Sequence, residues 1–444
     1  MKRRVKTGIR GFDYVVNGGF LEGTVNMVTG GPGAGKTIFA LNYILKGADM
    51  YNENGLFITF EETWKSIRES MSEPLLKIYE RTEDKINYLD LTAMRRVLGE
   101  NYNLFDVSVL SDMIKAVVEN NDVKRVAIDG ISSMALKYTA STEHRNAFFR
   151  LGLLLKDLNV TTVLTAEEET YHEFPFKEYL ADSITHLIYD GKKRRLQVVK
   201  MRGSDFVGGY HGYKITDEGF IVYPRRVTSA IRSERREEIV STGIKILDAI
   251  LGGGYNRGDI VFVIGCEGTG KTTIARHFVE DGSRNNERTL ILCFQNPWVY
   301  SKIDNVDVVH YNPAETDIYE IFDNIYTKEY DRIVIDPLDA LFVQDLKEVQ
   351  NLLQNATLYL KSKGITGIFI LNTSEYVGTY SMPSHMAHLV DTIIALKYAE
   401  IDFQLKRVMG ILKARHLRYE PGLWEYTIKG GKVEIYGRVE RISH

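Results

Sequence analysis

The chain has little cysteine, no excess charge of one sign and no long apolar run. Only Cys266 and Cys293 occur, which excludes a disulfide framework and paired-cysteine metal spacing. With 56 basic against 59 acidic residues, the net charge of −3 gives no basic footprint of the kind that drives general nucleic-acid binding. Nowhere do eighteen apolar residues run together, and no apolar signal region follows the basic start "MKRRVKTGIRGF". These absences predict a soluble, untargeted protein of the reducing cytosol, with no membrane contact and with nucleic acid disfavoured as a partner. What is present is size and apolar content. At 444 residues the chain exceeds what one core supports, so two or three domains are expected, and 44% apolar residues can fill them.

The sequence also repeats itself. "TGIRGFDYVVNGGFLEGTVNMVTGGPGAGKT" from Thr7 aligns without a gap to "TGIKILDAILGGGYNRGDIVFVIGCEGTGKT" from Thr242, at an offset of 235 (Lys271 − Lys36 = 235). Asp13/Asp248, Gly18/Gly253 and Gly23/Gly258 match within it, so the protein is read as a duplication.

Short apolar runs alternate with longer stretches of helical period, the pattern of a parallel sheet covered by helices. Strands are expected at Val25–Thr29, Leu56–Phe60, Val126–Ile128, Thr161–Leu164 and Leu196–Val199 in the first copy. Their counterparts in the second are Ile260–Ile264, Leu290–Phe294, Ile333–Ile335, Gly367–Leu371 and Val408–Leu412. Each copy closes in antiparallel strands such as Gly219–Tyr223 and Lys432–Tyr436. The expected division is a first domain at 1–225, a charged linker at 226–240, a second domain at 241–430 and a C-terminal strand and tail at 431–444. The linker reading rests on the alternating charge of "RRVTSAIRSERREEIV"; a short solvated helix would serve equally.

"GGPGAGKT" (Gly30–Thr37) and "GCEGTGKT" (Gly265–Thr272) both fit G-x-x-x-x-G-K-[ST] between an apolar strand and a helical pattern. In that setting backbone N–H groups close around phosphate oxygens at a helix N-terminus. The expected nucleotide cradles are Gly31, Gly33, Ala34, Gly35, Lys36 and Thr37, and in the second copy Gly268, Thr269, Gly270, Lys271 and Thr272. Lys36 and Lys271 would reach the β/γ-phosphates of ATP, and Thr37 and Thr272 would place a hydroxyl on Mg²⁺. The plainer alternative is a glycine-rich turn. Asp129 and Asp336 each close a buried strand, where a carboxylate can hold the Mg²⁺ shell or merely cap a turn.

Glu61 and Glu62 follow the strand Leu56–Phe60, which should lie beside the phosphate-loop strand, so a carboxylate there can polarise a water aimed at the γ-phosphate. An exposed acidic strand end is the alternative. In the second copy Gln295 and Asn296 occupy those places, and an amide cannot take a proton. The first copy is therefore expected to hydrolyse ATP and the second to hold it, unless Asp339 or Glu375 supplies the base.

The tandem phosphate loops, "ITFEE", the "TGI…D…GG…G" entry and "KMRGS" (Lys200–Ser204) resemble the KaiC family of the RecA-like ATPases, in its tandem-domain, archaeal type. The resemblance covers nearly the whole chain, more strongly in the first copy. It implies an α/β fold of two tandem RecA-like P-loop NTPase domains, each a mostly parallel twisted sheet flanked by helices. It also implies homo-oligomeric, hexameric rings with ATP between subunits, a regulatory or conformational switch and a protein client it does not name. Glu61 and Glu62 then correspond to the catalytic pair, while Lys200 and Arg202 reach the neighbour's γ-phosphate. Alternation along a strand would put Lys200 and Arg202 on one face, as it would solvated edge-strand charges. Lys413 and Arg415 repeat the spacing as nucleotide contacts, but Gly203 and Ser204 become His416 and Leu417, which weakens the analogy.

Some features invite other readings. "KKRR" (Lys192–Arg195) is read as a solvated hairpin turn rather than an anion patch. His385 and His388 lack a third metal ligand of matching spacing. Glu267 inside the second loop would repel a triphosphate unless it points away. A RecA- or helicase-like DNA motor and a nucleotide-gated scaffold with negligible turnover are the competing functions; the motor would want a basic, aromatic-lined strand channel that the sequence does not offer. Clock members of the family carry adjacent Ser and Thr before a "TDTI" segment, where this chain has Ala387 and His388, so autophosphorylation there is not expected.

Overall fold

A computed structural model describes residues 2–92, 107–132, 141–167, 181–227, 238–373, 389–401, 403–415 and 417–439. The chain divides into two compact units, residues 1–225 and 226–444. Each is built on a nine-stranded sheet. The first sheet comprises β1 (Val25–Gly30), β2 (Asn54–Thr59), β3 (Ile86–Asp90), β4 (Val123–Asp129), β5 (Thr161–Glu167), β6 (Ser183–Tyr189), β7 (Arg194–Met201), β8 (His211–Thr216) and β9 (Gly219–Tyr223). Its order is β9-β8-β7-β6-β1-β5-β4-β2-β3. From β6 to β3 the strands run parallel; β7, β8 and β9 extend the sheet as an antiparallel meander.

The second sheet repeats that order with β10 (Ile260–Gly265), β11 (Thr289–Cys293), β12 (Val306–His310), β13 (Arg332–Asp336), β14 (Thr366–Asn372), β15 (Thr392–Ile401), β16 (Gln404–Ala414), β17 (Leu423–Lys429) and β18 (Lys432–Arg438). Each unit is thus the mostly parallel, helix-flanked α/β sheet of a RecA-like P-loop domain. β1 is buried at every position because helices cover both faces. Met27 faces the core that contains Ile114, and Val28 faces the core that contains Phe39 of the helix α1 (Lys36–Tyr51).

One expectation needs correction. The strand expected at Leu56–Phe60 is β2, ending at Thr59, and it does not lie beside the phosphate-loop strand, because both edges of β1 are taken by β5 and β6. Lys200 pairs with Ile184 and Met201 with Ser183. β7 ends at Met201 after a register shift opposite Ile184/Thr185. Arg202 lies in the turn beyond, where its N–H donates to Asp182 O at 2.7 Å.

The duplication extends to a buried ion pair in each unit. Arg125 at the start of β4 donates to Glu53 at 2.6 Å and lies over Tyr43 of α1. Arg332 in β13 donates to Glu287 at 2.5 Å, to Asp281 at 2.9 Å and to Phe278 O at 2.6 Å, the last two on the helix α2 (Lys271–Arg284). Glycine makes the room: a Cβ on Gly47 would clash with Arg125, and one on Gly282 would come within 2.8 Å of Arg332 Cδ. Arg332→Ala leaves Asp281 with the neutral Asn285 amide at 3.2 Å and a distant arginine, Arg284, at 3.7 Å, while Arg257 keeps Glu287 at 2.5 Å. A loss of about 3 kcal/mol, the lower end of the range for a broken buried pair, is expected from chemical denaturation of the second unit.

Candidate functional site

β1 ends at Gly30 and α1 begins at Lys36, so the phosphate-loop motif forms the turn between them. The same geometry joins β10 to α2. The residue before each helix, Gly35 at φ 91° and Gly270 at φ 97°, is in the left-handed region where glycine carries no Cβ penalty. Each helix therefore opens with N–H groups that lack an internal acceptor, a ready anion site. Lys36 Nζ donates to Gly30 O at 2.9 Å and Gly31 O at 3.1 Å, and Lys271 Nζ to Cys266 O at 2.8 Å, holding each ammonium over its loop. Burial lowers the pKa of Lys271, a cost that an adjacent anion would offset.

Asp129 and Asp336 stand at the C-terminal ends of β4 and β13, both buried. Thr165 Oγ1 donates to Asp129 Oδ1 at 2.6 Å, and Tyr300 OH donates to Asp336 Oδ2 at 2.7 Å. Thr37 lies near Asp129, and Thr272 near Asp336, each acting to lower the carboxyl pKa. Burial raises the pKa of both aspartates despite these bonds. A hydroxyl and a buried carboxylate close together beside a phosphate loop are hard oxygen donors suited to Mg²⁺. Thr165 and Tyr300 escaped the sequence reading, since neither belongs to a motif.

In the first unit a cavity of about 370 Å³ opens at this edge, lined among others by Lys36, Thr37, Glu61, Asp129, Thr165 and Glu167. Although β2 is remote from β1, Glu61 reaches back to the site over Gly130: a Cβ there would sit 2.7 Å from Glu61 Cδ. Glu62 is exposed, with its carbonyl accepting from Thr59 Oγ1 at 2.6 Å. In the second unit Gln295 and Asn296 follow β11 and are exposed. Asp339, the alternative base, accepts from Asn372 N at 2.8 Å and Asn372 Nδ2 at 3.1 Å. Glu375 lies outside the described residues, as do His385, Ala387, His388 and His416. Glu267 is exposed.

Lys200 and Arg202 are not brought to their own phosphate loop. Lys200 pairs with Ile184, which is level with Met27, and its Nζ donates to Ala181 O at 2.9 Å. Arg202 is level with Val25 through Asp182, five residues before Gly30, or about 16 Å along a strand. Lys413 has the same seat in the second unit, paired with Ile393 and donating to Val390 O at 2.7 Å, while the Arg415 N–H donates to Asp391 O at 2.8 Å. The departure at 416–417 thus leaves these two positions unchanged.

The solvated-turn reading of "KKRR" holds only for Lys192 and Lys193, whose N–H groups Asp190 caps at 2.9 and 2.7 Å. Arg194 belongs to β7, stacks 4.0 Å from the Tyr189 ring centroid and donates to Gly33 O of the loop at 2.6 Å. Charge alone could not have distinguished it from its neighbours. Among the described residues no helix is long and apolar enough to cross a membrane.

The family model "ATPase: KaiC" matches residues 5–227, 240–301 and 307–440. Among curated relatives, the circadian clock oscillator protein KaiC of Prochlorococcus marinus is 31% identical over 98% of this chain and 91% of its own length. That of Synechococcus elongatus is 30% identical over 99% and 91%. A Nostoc homologue of the same name is 29% identical over 97% and 89%.

Thr165 carries two buried bonds at once, donating to Asp129 and accepting from Gly130 N at 2.8 Å. Thr165→Val removes both, and thermal unfolding should show the first unit destabilised by about 1–3 kcal/mol.

Proposed function

Since the chain belongs to the KaiC family of ATPases, we propose that it forms ATP-bridged rings whose first domain hydrolyses ATP and whose second holds it. The observation that carries this reading is Glu61, folded over Gly130 into the cavity with Lys36, Thr37 and Asp129, where its counterpart is the amide Gln295. Glu61, with Glu62 beside it, takes the proton of the attacking water, and Lys36 holds the β/γ-phosphates. Thr37 with Asp129, and Thr272 with Asp336, would hold Mg²⁺, which neutralises charge developing on the phosphates. Gln295 and Asn296 still donate and accept hydrogen bonds but cannot accept a proton. Bound ATP then serves the second domain as a structural ligand, worth about 2.7 kcal/mol at a hundredfold excess over its dissociation constant.

The far-edge position of Lys200 and Arg202 supports their action on a neighbouring subunit, since within one chain they lie level with Met27 and Val25, away from the loop that follows Gly30. Lys413 and Arg415 do the same at the second interface. A hexameric ring sharing ATP in this way acts as a conformational switch in the cytosol, coupling hydrolysis to the grip on a protein client. The RecA-like core shared with DNA motors makes the ATPase rate with and without single-stranded DNA a useful control.

Two mutants test the division of labour. Glu61→Gln with Glu62→Gln should remove nearly all turnover, a loss of roughly 10²–10⁴ in rate, while Lys271→Ala should spare most turnover and lower thermal stability or assembly. Retention of more than about a tenth of the parent rate by the Glu-pair variant, against that expectation, would make the second site an active ATPase.

Sharing is tested by mixing. Arg202→Ala should retain ATP binding and lose roughly 10³–10⁵ in rate. Mixed rings of Arg202→Ala and Glu61→Gln subunits should regain activity, because some interfaces pair an intact arginine with an intact glutamate. No recovery at any ratio removes the case for action across the interface.

A further inference from the structure

We infer that Tyr213 and Tyr426 are positioning residues of the two phosphate loops, each holding its loop in an anion-binding form through one peptide carbonyl. The inference rests on the nucleotide-binding reading of those loops. Tyr213 OH donates to Ala34 O at 2.7 Å, and Tyr426 OH donates to Thr269 O at 2.5 Å. Ala34 and Thr269 occupy the same loop position, 235 residues apart (269 − 34). The chain between loop and tyrosine is 179 residues in the first copy and 157 in the second, so the bond persists through a difference of 22 residues (179 − 157). A contact incidental to packing would not be expected to survive that change in connection.

Peptide geometry gives the bond its consequence. The peptide is planar and trans, so the Ala34 carbonyl and the Gly35 N–H point in opposite directions. Tying the carbonyl to Tyr213 turns that N–H the other way, and Gly35 lines the cavity. Gly35 also directly precedes α1, so its N–H is among those to which the helix offers no acceptor.

The tyrosine can impose this because its own position is fixed. Its ring stacks on Phe220 at 4.5 Å and 13°, and Phe220 meets Phe39 of α1 edge-on at 5.2 Å. Two residues on, Ile215 abuts Gly35 and Ile428 abuts Gly270, each so closely that a Cβ on the glycine would clash. Arg194 and Arg407 complete the grip on the preceding carbonyls, Gly33 O at 2.6 Å and Gly268 O at 3.2 Å. The antiparallel extension of each sheet therefore holds three successive residues of its loop, and the tyrosine holds the middle one through a neutral hydroxyl.

The test is Tyr213→Phe in a Lys271→Ala background, and Tyr426→Phe in a Lys36→Ala background, so that each loop is read alone. Mg·ATP affinity is measured by calorimetry well below the unfolding temperature, with kcat and KM for the first domain and a melt of the nucleotide-free protein. Loss of the hydroxyl should weaken binding roughly two- to tenfold and raise KM by a similar factor at unchanged kcat. A hydroxyl that merely satisfied the fold would lower the melting temperature and leave the dissociation constant where it was; that result overturns the inference. A fall in kcat with KM unchanged overturns it as well. If the background protein binds no Mg·ATP at all, the nucleotide reading itself fails, whereas equal binding by background and Phe variant sinks this inference alone.

Discussion

Parallel strands deliver their C-terminal ends to one edge of a sheet, and each unit of this protein must there place a carboxylate in a buried position beside a helix N-terminus. Asp129 and Asp336 meet that constraint at a cost. Burial raises the pKa of each, and each is held by a hydroxyl from another element, Thr165 from β5 or Tyr300 beyond β11. The positive end of α1 or α2 at the same edge favours negative charge. Lys36, Thr37 and Glu61 are useful because they converge on this one place. Glu61 shows how firmly the edge governs the rest: its strand is separated from β1 by two others, yet a glycine at 130 lets its side chain come back to the site.

The duplication has kept the framework and changed the edge. Buried arginines, the glycines that make room for them, the seats of Lys200 and Lys413 and the tyrosine bonds to the loops are the same in both units. At the edge, Glu61 and Glu62 become Gln295 and Asn296. A second exchange accompanies them. In the first unit Ser132 Oγ accepts from the N–H of Glu167, which lines the cavity; in the second, Asp339 accepts from the N–H of Asn372. The carboxylate has moved from the strand end to the turn, where Asn372 engages both of its oxygens. That change argues for two sites under different demands rather than for drift in one.

Residues whose position follows from local pattern were legible in the sequence. The phosphate loops, the strand-closing aspartates and the 235-residue offset needed only spacing and an apolar run. Sheet order was not legible, because periodicity identifies a strand without saying which edges it finds; hence β2 was expected beside β1. Half-buried strands such as β6, "SITHLIY", and β8, "HGYKIT", were passed over since their polar residues interrupt the apolar run. Nor could alternation show the bulge at Val199, just before Lys200. Tyr213 and Tyr426 stayed hidden because their distance along the chain from the loops differs between copies, so no fixed spacing announces them.

One strand ties these levels together. β7 begins with Arg194, bonded to the loop of its own unit, and its far end carries Lys200, with Arg202 in the turn beyond. From Arg194 to Lys200 is six residues, less than about 20 Å of strand, paired with β6 on both sides of a one-residue bulge at Val199. Such a paired element, even with its bulge, carries displacement from one end to the other more readily than a loop does. If subunits share nucleotide as proposed, the two ends of β7 meet different ATP molecules, one held by its own chain and one by the neighbour. β16 has the same arrangement, with Arg407 on Gly268 O at one end and Lys413 at the other. A switch built from such rings could therefore relay loop geometry around the assembly through the sheet extension, without any contact between the two loops themselves.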